Sequence, residues 1–219
     1  MYGCALCIRE EIYASDHPMV LATKNNIAQV YASEERYGEA ISLFETVIQE
    51  YRENSTEDSA FLAAVYDNLS TAYREMERYE DAIDICTEGL NIRKNIYGKR
   101  SLDYAISLNN LALIYYEMGI LNDAADIFSE ALAIKKETLP EIHGQISIGY
   151  FNLGLVYDKL HRDNEALENY RASMEIDNEL EAYEDVLLTA EYIAEIYERN
   201  DMPEDAEAYR TLCSKDDVH

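Results

Sequence analysis

One heptapeptide recurs through this chain at a fixed period. "NNIAQVY" from Asn25, "DNLSTAY" from Asp67, "NNLALIY" from Asn109 and "FNLGLVY" from Phe151 each start 42 residues after the one before, and "EYIAEIY" from Glu191 follows after 40. A second set of segments keeps step with the first: "RYGEAI", "RYEDAI", "ILNDAA", "RDNEAL" and "MPEDAE". No other feature limits the fold as strongly. A unit of about 40 residues cannot bury an apolar face alone, so successive units must stack on one another.

With each unit numbered from Leu21, Ala63, Ala105, Ser147 and Leu187, the in-register residues read as a helix pair. Position 7 is Ile27, Leu69, Leu111, Leu153 and Ile193, and position 8 is small throughout (Ala28, Ser70, Ala112, Gly154, Ala194). Position 11 is always tyrosine: Tyr31, Tyr73, Tyr115, Tyr157 and Tyr197. These positions share one face of a first helix, helix A. A short turn follows, and helix B then opens with an acid at position 19 (Glu39, Asp81, Asp123, Glu165, Asp205), where negative charge suits the helix dipole. Position 20 is always alanine, which lets the two helices approach, while the tyrosine and the position-24 side chain fill the remaining space. Position 24 is Phe44, Cys86, Phe128, Tyr170 and then Arg210.

Composition agrees with an all-α chain. Among 219 residues only three are proline and eight glycine, too few for a turn-rich β-architecture, while 48% apolar content argues against disorder. A formal charge of −26 excludes phosphate-rich partners as a class, so neither nucleic acid nor a membrane surface is expected. No run of eighteen apolar residues is present, and the amino-terminal stretch has no basic n-region or apolar h-region, so no signal peptide is expected. The four cysteines (Cys4, Cys7, Cys86, Cys213) form no dense framework, and a reduced, cytoplasmic setting is the expectation.

Small-8, Tyr-11, Ala-20 and aromatic-24 in this register resemble the tetratricopeptide repeat (TPR). The 42-residue spacing, with "SLNNLALIYYEMG…DAADIFSEALAIKKETL", is similar to the kinesin-light-chain subtype. The resemblance implies a right-handed α-solenoid of antiparallel helix pairs. The subtype's Trp at position 4 is replaced by Lys24, Tyr66, Leu108, Tyr150 and Ala190. The Pro that closes a 34-residue unit is also absent, which lets helix B run on for another turn. The expected organisation is a half-repeat or capping helix over 1–16, repeats over 17–58, 59–100, 101–142 and 143–184, and a degenerate terminal repeat over 185–219. The half-repeat suggests a segment of a longer array or an improvised cap.

Catalytic motifs are missing: there is no P-loop, G-x-S-x-G, H-E-x-x-H or G-x-G-x-x-G. His17 and His143 hold equivalent connecting positions and read as loop or cap residues. Cys4-x-x-Cys7 lacks the second ligand pair that zinc requires and the βαβ context of a thioredoxin, so it reads as two ordinary helix residues. The chain is therefore expected to be non-enzymatic, with no catalytic residue, cofactor or metal.

Asparagine disfavours helix interiors because its side chain competes for backbone hydrogen bonds. Yet position 6 is Asn26, Asn68, Asn110 and Asn152 before it becomes Tyr192. At 100° per residue it lies about 140° from the tyrosine, on the stripe of positions 2, 9 and 13 that faces away from helix B. An amide both donates and accepts, so such a stripe can hold the main chain of an extended peptide whatever its sequence. Asn25 and Asn109 at position 5 sit beside it, although position 5 also accepts Asp67, Phe151 and Glu191 and reads as loosely set. Ala22, Ala64, Ile106 and Ile148 at position 2, Gln29, Thr71, Leu113 and Leu155 at position 9, and Lys159 at position 13 supply selectivity, with the groove more apolar toward the third and fourth repeats and basic at its far end. The resemblance implies the same role, since asparagines at this helix-A position hold cargo main chain in kinesin-light-chain-like arrays. A carboxylate clamp of the chaperone-binding kind is not expected, because only Asn68 of its residue set is present. The expected function is thus a scaffold or adaptor binding a partly apolar protein segment in its concave groove. The alternative is a regulatory or oligomerisation segment of a larger protein that self-associates through its end helices.

Overall fold

In the computed structural model, residues 12–54 and 59–213 are described, and the described residues form helices joined by turns. The chain divides between Lys99 and Arg100 into two compact units. The N-terminal unit holds α1 (Pro18–Ser33), α2 (Tyr37–Asn54), α3 (Ala60–Glu75) and α4 (Tyr79–Tyr97). The C-terminal unit holds α5 (Leu102–Glu117), α6 (Leu121–Thr138), α7 (Gly144–Lys159), α8 (Asp163–Glu179), α9 (Tyr183–Arg199) and α10 (Pro203–Cys213). Within each unit, every helix packs on the next in order. Both units are therefore stacks of helix hairpins, an all-α solenoid architecture. Residues 1–11, including Cys4 and Cys7 and most of the expected half-repeat, lie outside the described residues.

The repeat register explains the helices one by one. Four A helices start at the same register on a side-chain cap. His17 Nδ1 accepts from Met19 N–H at 3.2 Å, Ser59 Oγ from Leu62 at 3.1 Å, Ser101 Oγ from Tyr104 at 3.2 Å, and His143 Nδ1 from Gln145 at 3.1 Å. Each such cap is worth about 1 kcal/mol. The histidines are thus caps, as their position in the sequence suggested. Helix α9 starts differently, on Ala182 with no side-chain bond. Five residues separate α6 from α7 but only three separate α8 from α9, which accounts for the 40-residue final spacing.

Each A helix ends in a left-handed residue at position 15: Glu35, Glu77, Gly119, His161 and Asp201, with φ between 56° and 78°. Four of the five are not glycine and carry a cost of roughly 1–2 kcal/mol. The compensation is a Schellman bond, in which the next N–H returns to the position-11 tyrosine carbonyl (Arg36 to Tyr31 at 2.8 Å, Arg78 to Tyr73 and Arg162 to Tyr157 at 2.9 Å). The same arginines lie over the same tyrosine rings at 4.2, 4.4 and 4.6 Å and pair with the position-19 acids Glu39, Asp81 and Glu165. In the other two repeats Ile120 and Met202 replace the arginine and make the same backbone bond. The tyrosine therefore clamps the turn, beyond the space-filling role its periodicity indicated.

Between the paired helices, Ala40, Ala82, Ala124, Ala166 and Ala206 are all fully or almost fully buried. Phe44, Phe128 and Tyr170 are buried at position 24, each contributing roughly 1.5–3 kcal/mol of transfer free energy. In the second repeat that place belongs to Cys86, whose thiol burial pushes up to about 12, so it is a core filler with little thiolate at neutral pH. Gly154 is the smallest position-8 residue, and a Cβ there would meet the Tyr170 ring at 2.5 Å. The large ring is accommodated by the missing side chain.

Candidate peptide-binding stripe

Burial follows the wheel. On the A helices, positions 3 and 7 face inward, as at Val65 and Leu69 or Thr189 and Ile193, while positions 2, 9 and 13 are open or half-open. On α7 the stripe is Ile148, Leu155 and Lys159, open or half-open, with Asn152 buried between them; on α5 it is Ile106, Asn110, Leu113 and Glu117.

The asparagines divide into two kinds. In the N-terminal unit, half-buried Asn68 donates its amide to Asn25 Oδ1 at 3.2 Å. In the C-terminal unit, Asn152 donates to Asn109 Oδ1 at 3.1 Å. Both bonds join position 6 of one A helix to position 5 of the A helix before it. Asn26 is exposed and Asn110 half-buried, and neither has a side-chain partner among the described residues. Position 5 is therefore matched to the following position 6, which single-position variation concealed. The matching extends to Phe151 and Tyr192, whose rings meet edge-on at 5.4 Å, with Tyr170 5.6 and 5.5 Å from them. Asp67 instead pairs with Arg93, a largely buried ion pair within one repeat.

The remaining stripe residues are placed as follows. Gln29 is exposed. Leu113 and Leu155 are half-buried and pack against separate core clusters of the C-terminal unit, so each presents only part of its side chain. Lys159 lies over the Tyr116 ring at 4.5 Å, and Arg199 pairs with Asp158 and Asp163. The basic end expected from the sequence is thus internally engaged. Position 2 carries the most open apolar surface of the stripe. Ile148 and Leu188 are 53% and 46% exposed, and they flank a pocket of about 200 Å³ that Phe151 also lines. Leu188 is the position-2 residue that sequence reasoning left out, although it continues the apolar series of Ile106 and Ile148.

Tetratricopeptide-repeat family models match residues 20–55, 61–137 and 149–180. The chain is a tetratricopeptide-repeat protein. Its fold is similar to that of BtubC (BKLC) from P. vanneervenii, with a TM-score of 0.85 at 19% identity over 100% of this chain and 90% of that one. It is also similar to the nearly identical TPR-like repeats of a candidate kinesin light chain from P. anserina (TM-score 0.78, 19% identity, 93% and 99% covered). A third similar structure is the Rap conjugation gene regulator of plasmid pLS20, solved in complex with the Phr* peptide (TM-score 0.69, 19% identity, 88% and 52% covered). No curated protein sequence matches. The repeats of this TPR protein are similar in fold to those kinesin-light-chain-type repeats. Among the described residues no helix is long and apolar enough to cross a membrane, and no three His, Cys, Asp or Glu residues cluster as metal ligands.

Proposed function

We propose that this TPR protein is a non-enzymatic adaptor that holds an extended, partly apolar segment of a partner protein along the A-helix stripe of its C-terminal unit. The observation that carries the proposal is the exposure of Ile148 and Leu188 beside a pocket, one helical turn from Asn152 and Tyr192. An isolated exposed apolar residue is ordinary, but two in register around a concavity form a docking feature. Asn110 keeps its full donor and acceptor capacity, and Asn109 and Asn152 keep what their mutual bond leaves free. Packed helices lie about 8–10 Å apart and an extended strand rises about 3.3 Å per residue, so neighbouring helices would meet roughly every third residue of a bound segment. The peptide complex of the Rap regulator is a precedent for such a ligand in this fold.

The test is selection of random nonapeptides on the intact protein, followed by titration of the enriched peptides against Ile148→Asp and Asn110→Ala. A tenfold or greater loss of affinity in the first and a severalfold loss in the second are expected, with helicity unchanged. Enriched peptides that bind both variants as tightly as the parent would refute the stripe.

A further inference from the structure

The pocket beside Ile148 has a chemical character that an apolar docking site does not need. Ile148, Leu180 and Leu188 line it with 53%, 42% and 46% of their surfaces open, and Phe151 adds a ring. Its interior is polar and acidic: Ser147, Ser173 and Thr189 are buried to within 2%, and Asp177 is 5% exposed. Asp185, exposed, brings a second carboxylate to the rim. Ser147 and Ser173 hydroxyls lie 2.8 Å apart, and Ser173 Oγ donates to Asp177 Oδ2 at 3.3 Å. Asp177 has no cationic partner among the described residues.

The repeat register sharpens this. Position 31 is Tyr51, Arg93, Lys135 and Asp177. Where the register puts a buried arginine, Arg93, the chain supplies Asp67 to pair it. Where it puts Asp177, the chain supplies two hydroxyls and leaves the charge uncompensated. A buried carboxylate can accept about four hydrogen bonds, and leaving it without a counter-charge is costly. Burial first, and then the charge of Asp185, pushes the Asp177 pKa up.

We propose that this pocket receives one basic side chain, a lysine or arginine of the bound segment, with its methylene stem against Ile148, Leu188 and Phe151 and its head at Asp177. This deepens the adaptor role proposed above and rests on it. The match is one of charge and shape together. Lysine carries a compact cation with three donors on a four-carbon stem, and such side chains lay their stems along apolar walls. A hydrated metal ion would find apolar walls where it needs oxygen ligands. The charge of −26 on the whole chain draws cationic segments toward the site.

The experiment uses the intact protein with isoleucine and leucine methyl groups labelled, titrated with Nα-acetyl-lysine N-methylamide and with its norleucine counterpart. The lysine compound should shift the Ile148 and Leu188 methyl signals saturably at millimolar concentration, and the norleucine compound should not. Asp177→Asn, close to isosteric, should weaken the lysine response at least tenfold, and Asp185→Asn about two- to threefold, with the far-UV spectrum of both unchanged. Equal responses to both compounds, no response to either, or a full response in Asp177→Asn would overturn the pocket. Peptides enriched on the stripe that lack a basic residue and ignore Asp177→Asn would remove the basic-side-chain pocket while leaving the adaptor role intact. A lysine response without any enriched peptide would leave the pocket standing and remove the adaptor role.

Discussion

Asn110 and Asn152 occupy the same repeat position, yet replacing each by alanine should move stability in opposite directions. Asn152→Ala removes the donor of a 3.1 Å bond in which both partners are at least half-buried. The net worth of such a bond is about 0.5–1.5 kcal/mol, and the Asn109 carbonyl left behind adds to the loss only so far as water cannot reach it. Alanine returns up to about 0.7 kcal/mol through its better helix propensity. The sum is a loss of up to about 1.5 kcal/mol, largest where water cannot reach the Asn109 carbonyl, and for a chain of this length each kcal/mol lowers the thermal midpoint by about 2–4 °C. Asn110→Ala breaks no hydrogen bond among the described residues, so only the propensity gain remains, a few tenths of a kcal/mol of stabilisation. Urea melts followed by circular dichroism and by tyrosine fluorescence check both, provided the two probes coincide, since repeat arrays can lose two-state behaviour. The double variant Asn109→Ala with Asn152→Ala should show a coupling of about 0.5–1.5 kcal/mol. Equal losses for Asn110→Ala and Asn152→Ala, or strict additivity of Asn109 and Asn152, would refute the division into bonded and open amides.

Four further outcomes follow from the packing, a helix cap and a buried charge. Gly154→Ala drives a methyl to 2.5 Å from the Tyr170 ring, which is held between Phe151 and Tyr192, and overpacking of that kind costs about 1–3 kcal/mol; the same denaturation series should show it. Gly149→Ala meets only the tip of Leu132 at 2.9 Å, so it should be neutral or stabilising by up to about 1 kcal/mol. Ser101→Ala loses the cap on Tyr104 N–H and should cost about 1 kcal/mol. Asp177 keeps its proton in the folded chain at pH values where the unfolded chain, near its ordinary 3.8, has lost it, so its contribution to stability is best below that value and worsens as pH rises through the window above it. Asp177→Asn should therefore raise the melting midpoint at pH 7 and leave it unchanged near pH 3; an equal shift at both would show that burial of the charge is not the cause.

The hairpin stack was legible because its signals are periodic and local. Small-8, Ala-20 and the position-24 ring are each set by one inter-helix gap, so five copies in register specify them without knowledge of any contact. Tyr-11 was visible in part. Its periodicity placed it between the helices, but its carbonyl and ring also hold the turn, and a sequence shows neither a backbone acceptor nor an arginine folding back five residues later. Position 5 was least legible, because its identity is set by the following repeat's position 6 and variation was mistaken for freedom. The buried acid of the C-terminal pocket was also hidden, because Asp177 is one of many acids in a chain with 44 of them.

The matched pairs change what the asparagine ladder can be. Asn68 and Asn152 direct an amide hydrogen to the preceding A helix, so their recurrence is explained by packing before any ligand is invoked. Tyr192 supports this, since the break in the ladder coincides with Phe151 in the partner position and the rings close the same contact that the amides close elsewhere. A residue kept only for a ligand's main chain would have no reason to change in step with its neighbour across the helix interface. The stripe amides without a side-chain partner among the described residues are then Asn26 and half-buried Asn110, one in each unit, and a lone amide is a weak grip, worth about one hydrogen bond. Ile148 and Leu188 can each bury apolar surface worth about 25 cal/mol per Å². In the C-terminal unit, affinity for an extended segment must therefore come mainly from side chains seated at position 2, with the asparagines fixing the spacing of the helices that carry those seats.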